Sequence, residues 1–125
     1  MPDVHKISTL GKTWIFDLDG TIVKHNGYKI DGEDTLLDGA GEFLAGISAD
    51  DRIIFLTSRT EEYRDITIAF LEKHNIRYDG IMFGMPMGER ILVNDAKPKG
   101  LNTAVAINTK RDVFMDDVFV VDENL

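Results

Sequence analysis

The chain of 125 residues contains no cysteine, only three prolines and a single tryptophan. Without cysteine there is no disulfide scaffold, no thiolate-held zinc and no cysteine nucleophile. No apolar run exceeds about five residues, far short of the ~20 a membrane-crossing helix needs. The opening residues Met1-Pro2-Asp3-Val4-His5-Lys6 lack the apolar stretch of a signal peptide. A cytoplasmic location and no membrane partner are therefore expected. Basic residues are also in deficit, 14 Lys and Arg against 22 Asp and Glu, for a net charge of -8. Such a surface repels phosphate backbones, so no nucleic-acid partner is expected either. Repeats, low-complexity tracts and linkers are missing, and the length suits one domain spanning residues 1–125.

Short apolar runs alternate with helical stretches. Thr13-Trp14-Ile15-Phe16 and Arg52-Ile53-Ile54-Phe55-Leu56 read as buried strands, rich in β-branched and aromatic residues. Residues 38–47 carry Phe43, Leu44 and Ile47 at helical spacing. The strongest helical pattern covers 60–75, with Tyr63, Ile66, Phe70 and Leu71 on one face and Glu61, Glu62, Asp65 and Glu72 on the other. Ile81-Met82-Phe83, Ile91-Leu92-Val93 and Ala104-Val105-Ala106-Ile107 are further strand candidates. Doubly buried strands alternating with helices predict an α/β fold with a parallel, Rossmann-like sheet. Ligands bind such sheets at the carboxyl ends of the strands.

Three stations occupy those ends. Asp17-Leu18-Asp19-Gly20-Thr21 follows the first strand and puts two carboxylates on one side of an extended chain. Paired carboxylates repel unless a cation relieves them, and hard oxygen ligands suit Mg²⁺. The alternative is a hairpin turning at Asp19-Gly20. Thr57-Ser58-Arg59-Thr60 follows the second strand. Hydroxyls and free N–H groups at a helix start make an anion site, with Arg59 able to add a forked contact. The alternative is plain capping by Ser58 or Thr60. Asn94-Asp95-Ala96-Lys97-Pro98 follows the 91–93 run and offers a third oxygen ligand beside a cation, or else an Asx turn.

In this order the stations resemble the haloacid dehalogenase-like phosphohydrolase superfamily over about residues 13–108. Its Asp-x-Asp-Gly-Thr motif is matched at 17–21. Its strand ending in Thr or Ser is matched by Ile53-Ile54-Phe55-Leu56-Thr57. Its strand ending in an acidic pair is matched by Ile91-Leu92-Val93-Asn94-Asp95, with Asn in place of one Asp. The resemblance implies a three-layer core and an Mg²⁺-dependent phosphatase. Asp17 would be the nucleophile that becomes an aspartyl-phosphate, and Asp19 the general acid and base. Thr57 would hydrogen-bond the phosphoryl group. The metal would lie between the Asp17 carboxylate, the Asp19 carbonyl, Asp95 and the phosphate, with Asn94 as a further oxygen ligand, and Gly20, Thr21, Ser58 and Arg59 would line the substrate side. Small relatives carry Gly-Lys-Pro before the last catalytic strand. Here the segment reads Gly84-Met85-Pro86, and methionine cannot neutralise phosphate. Lys97 is the preferred replacement, ahead of Lys99 and Lys73.

Only about fifteen residues separate Thr21 from the next helix, which is a flap and not a cap domain. An uncapped cleft suits a bulky substrate or a second subunit. By analogy with small uncapped relatives, a phosphorylated sugar or glycan intermediate is the expected substrate. His25 and Tyr28 either touch it or form a solvated turn, and His5 and His74 lack any partner pattern. The tail at 113–121 is expected to form short strands, with Asp116-Asp117 as a turn or bulge, and its apolar edge is a candidate dimer contact. Two other functions are open. One is a weak or inactive relative that binds a phosphorylated ligand or a protein, motivated by Met85. The other is a phospho-acceptor domain of the receiver type, whose acceptor aspartate, however, follows the third strand and not the first.

Overall fold

A computed structural model describes residues 2–125. The chain folds into two compact units, one of residues 11–86 and 109–115, the other of the described residues up to Leu10 with 87–108 and 116–125.

The larger unit holds a parallel sheet of three strands, β2 (Thr13–Asp17), β3 (Arg52–Leu56) and β4 (Gly80–Met82), in that spatial order. Trp14 is opposite Ile53 and Phe16 opposite Phe55, while Asp17, Leu56 and Met82 share the row at the carboxyl ends. The faces differ. Ile53 and Phe55 are completely buried, whereas Ile15 and Met82 on the other face are half exposed. The strands are therefore packed on one face more than the other, and the finding is a small parallel α/β fold.

Helices α1 (Gly27–Ile30) and α2 (Ala40–Ala45) cross from β2 to β3, and a 3₁₀ turn (Glu61–Tyr63) with α3 (Arg64–Lys73) crosses from β3 to β4. Leu44 of α2 and Leu71 of α3 join Phe16, Leu18, Ile22, Val23, Ile53 and Phe55 in one core, with Phe114 and Met115 against it. Each such side chain contributes about 1.5–3 kcal/mol on burial. The end of α3 shows why sequence stops it there. Asn75 takes a left-handed conformation (φ 54°). Its N–H donates to Glu72 O and that of Ile76 to Leu71 O, while Leu71 and Ile76 pack in the core. This is the Schellman arrangement, in which asparagine substitutes for glycine.

At the opposite end of the sheet, buried Asp51 accepts from Lys12 N–H at 3.0 Å and from Trp14 Nε1 at 2.9 Å. Those bonds fix the entry of β2, and hence the register that delivers Asp17 to the carboxyl edge.

In the smaller unit, β1 (Val4–Ile7) and β5 (Val118–Val121) pair in parallel. The tail thus supplies one strand. Asp117 Oδ2 bonds His5 Nε2 at 2.7 Å, and the His5 ring stacks on Phe119. His5 does have a partner, 112 residues away in sequence. The expected strands at 91–93 and 104–107 do not form. Ile91 and Val93 are more than four-fifths exposed, and neither run enters the β1–β5 ladder. Apolar character marks a strand only where a neighbouring edge accepts its hydrogen bonds. Among the described residues no helix is long and apolar enough to cross a membrane.

Candidate functional site

The carboxyl ends of β2 and β3 bring Asp17 and Thr57 side by side, because Asp17 is registered with Leu56, the residue before Thr57. After β2 the chain turns within one residue. Gly20 has φ +81° and its N–H donates to Val23 O, while the N–H groups of Thr21, Ile22 and Val23 converge on Leu18 O. That curl seals Leu18, Ile22 and Val23 into the core and leaves Asp17 partly exposed. It is no hairpin: Asp19 bridges Val23 in parallel sense. Thr21 Oγ1 donates to Asp17 Oδ2 at 3.3 Å.

Thr57 is buried. Its hydroxyl accepts from Arg59 N–H at 3.1 Å, which leaves its own proton to donate. Its carbonyl accepts from Met85 N–H, and Arg59 O from Gly84 N–H. The 84–86 segment is thereby laced to the loop after β3, at the position where the resemblance expects a lysine. Neither Ser58 nor Thr60 caps the following helix. Thr60 occupies the cap position without a side-chain bond to the backbone, and its hydroxyl donates to Glu62.

Arg59 is the centre of the unit's polar interior. Nε and Nη2 donate to the two oxygens of Asp19, each at 3.0 Å. Nη1 and Nη2 donate to the two oxygens of Asp34 at 2.9 and 2.7 Å, and Nη1 also donates to Thr67 Oγ1 at 2.8 Å. All five N–H groups of a guanidinium are used. Its side chain is 1% exposed, and the Tyr28 ring covers it with its centroid 3.9 Å from Cζ. Burial opposes the charge, but the hydrogen bonds and negative charge of Asp34 and Asp19 outweigh it and hold the group above the ordinary arginine range. The forked contact expected for a ligand thus goes to the chain's own carboxylates.

Asp34 and Tyr28 belong to the flap at 24–35, whose neck is closed by Lys24 N–H to Thr35 O and by the Val23–Leu36 bridge. Tyr28 also meets Tyr63 edge-on, so it is neither a solvated turn residue nor an unpacked ligand contact. Asp34 and the packing role of Tyr28 are not marked by any local pattern in the sequence.

Asn94, Asp95 and Lys97 lie in the smaller unit on an exposed loop. Thr103 closes it, accepting from Asn94 Nδ2 at 2.8 Å and donating to Asp95 O. Lys97 N–H donates to Leu101 O. Among the described residues no three Asp, Glu or His side chains gather into one cluster. Mg²⁺ is usually held by only one or two carboxylates together with phosphate oxygens and water. The partly exposed Asp17 carboxylate suits that donor set; at Asp19 the ligand that the resemblance implies is the carbonyl, and the two carboxylate oxygens accept from Arg59.

No family model and no curated protein matches the chain. Two chains of solved structures are similar. One is in the structure of a Pnkp1/Rnl/Hen1 complex, with 28% identity and a TM-score of 0.52 over 68% of this chain and 32% of that one. Another is in the structure of the Pnkp1/Rnl/Hen1 RNA repair complex, with 30% identity and a TM-score of 0.51 over 62% of this chain and 27% of that one. The chain spans about a third or less of the length of these relatives. The likeness to chains of an RNA repair complex runs against the expectation of no nucleic-acid partner. Net charge is a whole-chain sum that weakens long-range attraction to a phosphate backbone, but it does not describe a local site that takes one phosphorylated end.

Proposed function

We propose that this chain is an Mg²⁺-dependent phosphomonoester hydrolase acting on the phosphorylated end of an RNA strand. The observation that carries the reading is the adjacency of Asp17 and buried Thr57 at the carboxyl edge of a parallel sheet, where ligands of such sheets bind. The likeness to RNA repair complexes supports the substrate class. The fold behind it would be the three-layer core of the haloacid dehalogenase-like superfamily.

An Asp17 carboxylate oxygen attacks phosphorus as the bond to the leaving oxygen breaks, giving an aspartyl-phosphate. Asp19 gives its proton to the leaving oxygen, then takes one from the water that releases phosphate. Delivering that proton requires Asp19 to give up a hydrogen bond from Arg59. Thr57 donates its hydroxyl proton to a phosphoryl oxygen. Mg²⁺ would be held by the Asp17 carboxylate and would supply positive charge for the transferring group.

A second reading, a weak or inactive relative that binds phosphorylated ends, is favoured by Met85 at the lysine position and by the hold of Arg59 on Asp19. Phosphate release from a panel of 3′- and 5′-phosphorylated oligoribonucleotides and sugar phosphates separates these possibilities. The hydrolase reading expects the highest kcat/KM on an RNA end. Preference for sugar phosphates would overturn the substrate class, and binding without release from any compound would favour the second reading.

A further inference from the structure

The segment 109–115 is pressed onto the 17–21 loop. Asp112, in a left-handed conformation (φ 63°), donates its N–H to Gly20 O at 2.8 Å. Its Oδ1 accepts from His25 N–H at 2.7 Å. Val113 N–H closes the turn onto Lys110 O, and Phe114 anchors the far side against Phe43 with ring centroids 5.5 Å apart. This turn lays Arg111 across Gly20. A Cβ placed on Gly20 would stand 3.3 Å from Arg111 Cγ, so glycine there provides both the positive φ and the room for the arginine stem.

Several cationic side chains come from the segments around this loop, among them Arg59, Lys24 and Arg111. Arg59 has every donor taken. Lys24 Nζ is paired with Asp31 at 2.9 Å. Arg111 is exposed and forms no ion pair or hydrogen bond through its guanidinium among the described residues. A phosphoryl group arriving at Asp17 needs cationic donors around its oxygens, and a guanidinium offers a planar fork that matches them.

We propose that Arg111 recognises the phosphoryl anion presented to Asp17, as the cation this unit supplies where Met85 supplies none. The proposal rests on the hydrolase reading for its ligand, a phosphate monoester, though not on turnover. The turn that carries Arg111 is held by the backbone bonds of Asp112 and Val113, and the guanidinium fork is left to grip an anion at little ordering cost.

The test measures binding, with Mg²⁺ present, of an oligoribonucleotide bearing a 3′-phosphate and of the same strand with a 3′-hydroxyl. The protein is the full chain carrying Asp17→Asn to prevent turnover. Preference for the phosphorylated strand is expected to fall about tenfold in Arg111→Gln and less in Arg111→Lys, with unchanged melting temperature. The slope of log Kd against log salt should be shallower by roughly 0.7 for one lost phosphate contact to a single strand. A preference that survives both Arg111→Gln and Arg111→Glu, or no preference before substitution, overturns the proposal. An Arg111-dependent preference without phosphate release by the parent chain would sink the hydrolase reading and leave this one standing. Release with KM unaltered by Arg111→Gln would do the reverse.

Discussion

Arg59 sits between two carboxylates, with side-chain exposures of 1% for Arg59, 17% for Asp19 and 4% for Asp34. Ions so deeply placed are costly to desolvate, and removing one partner strands the other. Arg59→Met is expected to lower unfolding free energy by about 3–5 kcal/mol, because two carboxylates lose their counter-charge together. Urea titration checks this, and a loss below 1 kcal/mol would contradict it. Arg59→Lys should lie between the two proteins, since an ammonium keeps the charge without the fork. Met85→Lys tests the vacant lysine position. With its N–H bonded to Thr57 O, residue 85 stands at the site, and the substitution is expected to raise kcat about tenfold or more. An unchanged or lower kcat would count against Asp17 and Thr57 as the phosphoryl site. At this scale the places of Asp17 and Thr57 are readable, because one ends and the other directly follows a strand of clear apolar pattern. The partners of Arg59 are not. Asp34 and Asp19 lie 25 and 40 residues away in sequence, a distance that only the fold closes.

Among the elements, β2, β3 and α3 are legible for distinct reasons, β-branched and aromatic runs for the strands and 3.6-residue periodicity for the helix. The helix face, however, is rotated from the expected one: Ile66 is half exposed, and Thr67, held by Arg59 and by Tyr63 O, is buried beside Leu71. The 91–93 and 104–107 runs show the limit of that signal, since no edge receives them. The end of α3 offers a test. Asn75→Ala is expected to cost about 1 kcal/mol, because the left-handed conformation penalises a Cβ without the local polarity of asparagine, and Asn75→Gly is expected to cost nothing or to stabilise. Thermal unfolding of the two variants should separate them in that order; equal losses would refute the capping account. At the start of α3, Arg64 donates to both oxygens of Glu61. The hydrogen bond from Arg64, helped by its charge, holds the Glu61 carboxyl below its usual range. Such a carboxylate stabilises the fold above the ordinary glutamate pKa and loses that contribution as pH falls through the lowered value. Glu61→Gln should therefore flatten the stability profile on the acid side while leaving it little changed near neutrality at high salt, where the exposed pair is screened. A parallel profile in both proteins would rule this linkage out.

For the molecule as a whole, a net charge of -8 predicts a barrier to nucleic acid, and the likeness to chains of an RNA repair complex runs against that expectation. The error lies in scale. Net charge governs encounter at long range, whereas a single phosphorylated end is held by a few donors within hydrogen-bond reach. The same separation explains why the sheet could be anticipated from periodicity and the turn at 110–113 could not: its place over Gly20 is set by Asp112 and Phe114, tertiary contacts without a sequence pattern. The central claim is that Asp17 is a nucleophile toward phosphorus. Phosphate release from a 3′-phosphorylated oligoribonucleotide, followed with Mg²⁺ and with excess chelator in the parent chain and in Asp17→Asn, tests it most directly. The account predicts release that requires Mg²⁺ and falls at least a thousandfold or so in Asp17→Asn, in a protein whose melting temperature is preserved. Release that persists in the substituted protein would contradict it.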